Sequence, residues 1–341
     1  MLVHFSFDGA CFSSKLLCDK YNPSIHEQLN QYWKKYGVFV FPENLDFKEY
    51  LKTIDQNHRK IWTAVLTSPN FFKVKKLTEN WKNLNELANH EPMYNGIEEY
   101  SKFFKVLFSD EDHFYMLTEL GTISKLQGSF EIITPGQILV SPSFNEVKNN
   151  FEKKTVVGDE LETIWKNKFS DLCKYCTDIT IIDRYLFKSI VEDKIKNSSS
   201  SFEYLLKKIS KYDGKYRIII VSSINEINED NILLDKVKAL GAKDGEEALL
   251  NYINKFLTSP LKKNISSFKI IDVENKFFRV SGHDRYFRFD NSYYRISKGL
   301  NFMRVGEQIE DNNFDYFTGE KVVKDLILSI GDYHNSEKII V

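Results

Sequence analysis

Short apolar runs alternate with amphipathic stretches along this chain. Leu2 to Phe7 is loosely alternating and apolar and stops at Asp8-Gly9, which predicts a first strand. Pro23-Ser24 marks a helix start, Ser24 to Tyr36 has helical spacing, and Gly37 closes it. Val38-Phe39-Val40-Phe41, ended by Pro42, predicts a buried second strand. Helical spacing then dominates residues 45–65, through Phe47, Tyr50, Leu51, Ile54, Ile61 and Val65, and continues from Phe71 to Leu87 and from Ile97 to Phe108. Asp110-Glu111-Asp112 reads as an acidic turn or helix start, and Phe114 to Leu117 as an apolar run leading into Thr118-Glu119. Phe130 to Thr134 predicts a further strand closed by Pro135-Gly136. Residues 142–154 read as a polar connection and helix start, which places a domain boundary near 145–160.

The second half repeats the alternation. Asp159 to Cys176 predicts a helix, Asp178 to Ile182 a strand, and Asp183-Arg184-Tyr185 a strand-to-helix turn with Asp183 capping. Asn197 to Ser201 reads as a loop and N-cap, Phe202 to Ile209 as a helix, and Tyr216 to Ser222 as a buried strand. A helix over Glu246–Phe256, a strand over Phe268–Val273 and a last helix over Gly319–Ile330 complete the pattern. The expectation is an α/β chain of two domains, 1–150 and 155–341, the second a layered α/β domain.

The densest chemistry lies in Ser281-Gly282-His283-Asp284-Arg285-Tyr286-Phe287-Arg288-Phe289-Asp290 and its continuation to Phe302. As a strand, this run puts His283, Arg285, Phe287 and Phe289 on one face, and Asp284, Tyr286, Arg288 and Asp290 on the other. Tyr293 to Ile296 reads as its partner across a turn at Asp290-Asn291-Ser292. The spacing H-x-R-x-x-x-x-D resembles the H-x-K-x-x-x-x-D motif of the phospholipase D superfamily. The longer string HDRYFRFDNSYYRISKGLNF resembles the C-terminal domain of MIT-domain proteins, a phospholipase D-like fold that binds membranes without being regarded as an enzyme. The resemblance covers roughly 155–341. It implies His283 as nucleophile, Arg285 as phosphate clamp and Asp290 as support, with no cofactor and with two motifs per site, hence a homodimer. Arg285, Arg288, Lys298 and Asn301 are then the phosphate-binding candidates. The alternative is a domain that keeps the fold without the reaction, its His283 and Arg285 bonded to neighbouring carboxylates.

The N-terminal half resembles a PIN-type nuclease domain, through a first strand ending in Asp8, the Thr118-Glu119 step after an apolar run, and a last strand ending in Thr134-Pro135. That resemblance implies acids gathered at the C-terminal edge of a parallel sheet around Mg²⁺ or Mn²⁺. The matching acids are Asp8 and Glu119, with Asp112 or Asp110 as the third.

Composition narrows the classes. Apolar residues make up 42% of the 341 and aromatics 14%, enough for real cores, and the net charge of −1 gives no global nucleic-acid footprint. No apolar run approaches a membrane span and the first residues read as a strand rather than a leader, so a cytoplasmic protein is expected. Cys11, Cys18, Cys173 and Cys176 are few, as a reducing compartment would have it, and the Cys173/Cys176 pair has no second close pair for zinc. Richness in Lys, Asn, Ile, Phe and Tyr points to an AT-rich, bacterial genome. The function expected is a nuclease-type protein acting on nucleic-acid phosphodiesters, in a defence or mobile-element setting. The alternative is a non-catalytic module that binds an anionic ligand, a membrane surface or a protein subunit.

Overall fold

The computed structural model describes residues 1–340 except 69–70, 89–92, 127, 129, 258, 281–284, 305–308, 310 and 320. The chain divides into two compact units, Met1–Asn150 and Phe151–Val341.

Unit 1 is a parallel sheet with helices on both faces. Its strands are β1 (Val3–Phe7), β2 (Gly37–Pro42), β3 (Lys73–Leu77), β4 (Val106–Phe108) and β5 (Glu131–Ile133), in the order β3-β2-β1-β4-β5. Every neighbouring pair is parallel. A parallel sheet covered on both faces buries both side-chain parities, which explains the near-continuous apolar runs of β2 and β4. One face carries Phe5, Phe39 and Phe108 against Trp33 of the helix Pro23–Tyr36, with Phe5 and Trp33 centroids 5.9 Å apart. The other carries Val40, Leu107 and Ile132 against Leu84, Ile97, Tyr100 and Leu117. Fully burying each such side chain contributes about 2 kcal/mol.

Two stretches depart from the expectation, and a third takes one of the alternatives left open for it. Phe71–Leu87 is not one helix: Lys73–Leu77 is the edge strand β3, and helix forms only over Leu84–Ala88. Its lysines suit a sheet edge, where charge discourages further pairing. Ile97–Phe108 splits into the end of the helix Met93–Glu99, a 3₁₀ turn and β4. β4 is so short and so buried that its apolar run carries no period to distinguish strand from helix. The Phe114–Leu117 run belongs to the helix Glu111–Glu119, which Asp110 caps.

Unit 2 holds a mixed sheet in the order β11-β10-β9-β6-β7-β8-β12. Its strands are β6 (Asp178–Ile182), β7 (Tyr216–Ser222), β8 (Ile265–Val273), β9 (Arg285–Phe289), β10 (Ser292–Ile296), β11 (Phe314–Thr318) and β12 (His334–Ile339). β6, β7 and β8 are parallel, and β9 to β12 are antiparallel additions. Phe287 and Phe289 pack on Phe169, at 5.3 and 6.0 Å between centroids. On the opposite face Tyr286 joins Ile182, Val221, Phe277 and Leu326. The Cys173 and Cys176 thiols are buried and unbridged, and burial pushes the Cys173 thiol well up. Among the described residues, no helix is long and apolar enough to cross a membrane.

Candidate metal centre

The strand order of unit 1 reverses direction between β1 and β4. In open α/β sheets, the crevice beyond the carboxyl ends of the strands at such a switch point is where ligands bind. Each of these two strands ends there in an acid. Asp8 follows β1, and its backbone N–H donates to Phe108 O at 2.8 Å, so the ladder itself fixes it beside β4. Ser109 follows β4 and donates to Ile133 O at 2.9 Å, which brings Asp110 to the same edge. Gly9 lets the Tyr50 ring lie close beside Asp8: a Cβ there would stand 2.8 Å from Tyr50 Cε1 and the ring would have to shift.

Asp8, Asp110 and His113 each offer a ligand atom, and those atoms all lie within 4.8 Å of one another. The Asp8 carboxylate is 4% exposed; its Oδ1 accepts from Leu84 N at 2.8 Å and its Oδ2 from Ala10 N at 3.1 Å. Burial raises its pKa, against the pull of those two N–H donors and of His113. Burial works on Asp110 too, but the backbone N–H of His113 at 3.0 Å and its ring Nδ1 at 2.5 Å outweigh it and hold Asp110 below the usual range. Two adjacent acids are thus driven apart by environment, a hallmark of sites with divided roles. The far nitrogen of His113, Nε2, lies 2.8 Å from Asn85 Oδ1. Two further polar atoms after β4, Ser109 Oγ and Glu111 Oε1, are buried without a hydrogen-bond partner among the described residues.

A cavity of about 470 Å³ opens beside Asp8, walled by Phe39, Phe41, Phe47, Tyr50 and Tyr100, with Asn83 and Glu86 also lining it. Burial pushes the Tyr100 phenol up, as do the Asp8 and Glu86 charges, and its hydroxyl donates to Lys82 O.

Of the acids expected from sequence, Asp8 stands in this cluster, and Asp110 rather than Asp112 is its companion. Asp112 and Glu119 are exposed on the helix Glu111–Glu119. Glu119 lies seven residues beyond Asp112, about 10 Å along the axis, because both stand on one helix. His113 escaped the sequence reading, although Asp and His at i and i+3 behind a short apolar run was the available signal.

In unit 2 Arg285 and Asp290, the described members of the C-terminal motif, do not meet in one site. His283 lies outside the described residues. Arg285 Nε stands 3.3 Å from Asp183 Oδ1, and its Nη1 donates to Ser297 O at 2.7 Å. Among the described residues its acid is therefore Asp183, after β6, rather than Asp290. Asp290 lies past the far end of β9, about 17 Å from Arg285 at ~3.4 Å per residue. There Asp290 Oδ1 accepts from Thr177 N at 3.1 Å and Asp178 N at 2.9 Å, which ties the β9–β10 turn to the start of β6. Arg288 donates from Nε to Asp290 O. Lys298 and Asn301 are exposed, and Ser189 Oγ lies 3.5 Å from Asn301 Oδ1. Asp183 is buried, and that burial pushes it up against Arg285 and the N–H groups of Tyr185 and Leu300. Gly299, at φ +65°, leaves room for this pair: a Cβ would lie 2.1 Å from Asp183 Oδ2 and 2.6 Å from Arg285 Cδ.

Compared with family models, with curated proteins and with solved structures, the chain matches none.

Proposed function

We propose that unit 1 is a PIN-like, divalent-cation-dependent phosphodiesterase domain acting on nucleic acid, and that unit 2 is a phospholipase D-like module that binds rather than cleaves. The observation that carries the first part is the meeting of Asp8 and Asp110 at the strand-order reversal. The two carboxylates suit a hard cation such as Mg²⁺ or Mn²⁺, with the Glu111 oxygen, unpartnered among the described residues, close behind in sequence, while His113, hydrogen-bonded at both ring nitrogens, orients Asp110. Bound there, such an ion would lower the pKa of a water enough to make it a nucleophile near neutral pH. The protein's own part is orientation. Backbone N–H groups fix both oxygens of Asp8, the helix cap fixes Asp110, and His113 bridges Asp110 to Asn85. The cavity beside Asp8 offers a substrate an aromatic wall next to that carboxylate.

The binding reading of unit 2 rests on Arg285, which is committed to Asp183 and Ser297, and on Asp290, which serves a turn. A cleavage assay on single- and double-stranded DNA and RNA tests both parts. Cleavage is expected with Mn²⁺, is abolished by EDTA and by Asp110→Asn, and survives His283→Ala. Cleavage that resists EDTA and is lost in His283→Ala would overturn both.

A further inference from the structure

We propose that unit 2 carries a second ligand site, for a small phosphate monoester, in the cavity where the helices Leu186–Ile195, Ser201–Ile209 and Gly245–Phe256 meet. The cavity measures about 390 Å³, and Lys194, Ser198, Ser199, Glu203, Tyr252 and Lys255 line it.

The chain builds this place by reversing between two helices. Asn197 takes φ +52°, and Asn197 N and Ser198 N return to Lys194 O at 3.1 Å and Asp193 O at 2.9 Å. This closes the first helix in the manner of a left-handed C-cap. Ser198 and Ser199 are thereby laid along the opening, and Ser200 caps the next helix by accepting from Glu203 N at 3.1 Å. The Tyr252 hydroxyl sits 3.3 Å from both Ser200 Oγ and Glu203 Oε2 and pins the third helix to the loop.

Charge identifies the ligand. The carboxylates nearby are already answered: Glu203 by Lys207 at 2.7 Å, and Asp193 by Arg304 at 3.0 Å. Other lysines of this unit have acids of their own, as Lys188 has Asp230 at 2.8 Å and Lys208 has Glu162. Lys194 and Lys255, by contrast, have no carboxylate within 4.0 Å among the described residues. Lys194 is instead 6.0 Å from the Tyr252 ring centroid. Two ammonium groups beside the Ser199 hydroxyl suit a compact dianion, the Ser198 hydroxyl being turned to Asp193 O at 3.2 Å, and a phosphate monoester carries about −1.5 to −2 at pH 7. A cavity of about 390 Å³, at the small end of the ligand-pocket range, suits a small molecule.

The test is a titration of the full chain with inorganic phosphate and with a nucleoside 5′-monophosphate, followed by calorimetry in the presence of EDTA. EDTA, with an Asp8→Asn background, removes any contribution from the metal centre, so failure here is distinguishable from failure of the phosphodiesterase reading. Saturable binding is expected. Lys194→Met and Lys255→Met should each weaken it about tenfold, the usual worth of one charge-assisted hydrogen bond. Lys236→Met, on an exposed position of another helix, should leave it unchanged. Lys255 is exposed, so its variant folds even where Lys194→Met does not. No saturable binding, equal weakening by Lys236→Met, or binding of a phosphoserine peptide alone would overturn the proposal.

Discussion

Replacing Arg285 by Met removes the cation that faces Asp183 and keeps the length of the side chain. The Asp183 side chain is 6% exposed and Arg285 is 25% exposed, with Nε and Oδ1 3.3 Å apart. At an effective dielectric of 20 the bare attraction is about 5 kcal/mol. Desolvation of both groups offsets much of it, and Arg285 keeps contact with water. Removing one partner of a fully buried pair costs 3–5 kcal/mol, so about 2–3 kcal/mol is expected here after allowance for that exposure. The sign of the pH dependence follows from Asp183. Its folded pKa is already raised by burial above 3.8, with Arg285 opposing, and the substitution raises it further. A buried acid with a raised pKa weakens the fold above that pKa and ceases to do so once protonated. The deficit of Arg285→Met is therefore largest near neutrality and shrinks as the pH falls toward the unfolded value. Hydrogen exchange on the full chain reads this locally: peptides from β6 and β9 lose protection, while peptides from β1 and β2 serve as an internal reference. Unchanged protection at pH 7, or a deficit that grows on acidification, would refute the reasoning and return Arg285 to the role of an uncommitted phosphate clamp.

Gly299→Ala should destabilise unit 2 by about 3 kcal/mol, from the left-handed backbone together with overpacking against Asp183 and Arg285; urea unfolding checks it. Asp290→Ala loses the bonds to Thr177 N and Asp178 N and strains φ +50°, for about 2–3 kcal/mol, whereas Asp290→Asn, which tolerates that backbone, should cost less. Unit 1 should weaken on acidification because His26 is fully buried, accepts from Trp62 Nε1 at 2.9 Å and has its pKa lowered to about 4. That contribution is complete above about 6.5, is lost as the pH falls toward 4, and amounts to about 2 kcal/mol by pH 5. Exchange of β1 peptides at pH 7 and 5 measures it, and the slope should flatten in His26→Leu. Glu119→Gln should leave Mn²⁺-dependent cleavage at the wild-type rate, since Glu119 is exposed at the end of its helix.

The sequence carried β1, β2, β6 and β7 plainly, because long β-branched and aromatic runs bounded by Gly, Pro or Asp admit few other readings. β3 and β4 were not legible. The apolar positions of Phe71–Leu87 satisfy a helical period as well as an alternating one, and Val106–Phe108 is too short to show either. That ambiguity spread to the site. The PIN-type resemblance put Glu119 at a sheet edge; as part of a helix capped by Asp110, the Phe114–Leu117 run delivers His113 instead. Asp8 was legible because it ends a clear strand. Asp183 reads as a cap, but the helix Leu186–Ile195 starts after Tyr185 without a side-chain cap; Asp183 accepts from Tyr185 N at 3.0 Å in the turn before it, and its partnership with Arg285 spans a hundred residues with no local pattern to announce it.

The central claim is that Asp8 and Asp110 hold a divalent cation. The most direct measurement is a titration of Mn²⁺ into the full chain, with unbound Mn²⁺ followed by its paramagnetic resonance signal. The account predicts one saturable site that is lost in Asp8→Asn and in Asp110→Asn and kept in Asp112→Asn. Binding that persists in both of the first two variants, or that disappears in Asp112→Asn, would contradict it.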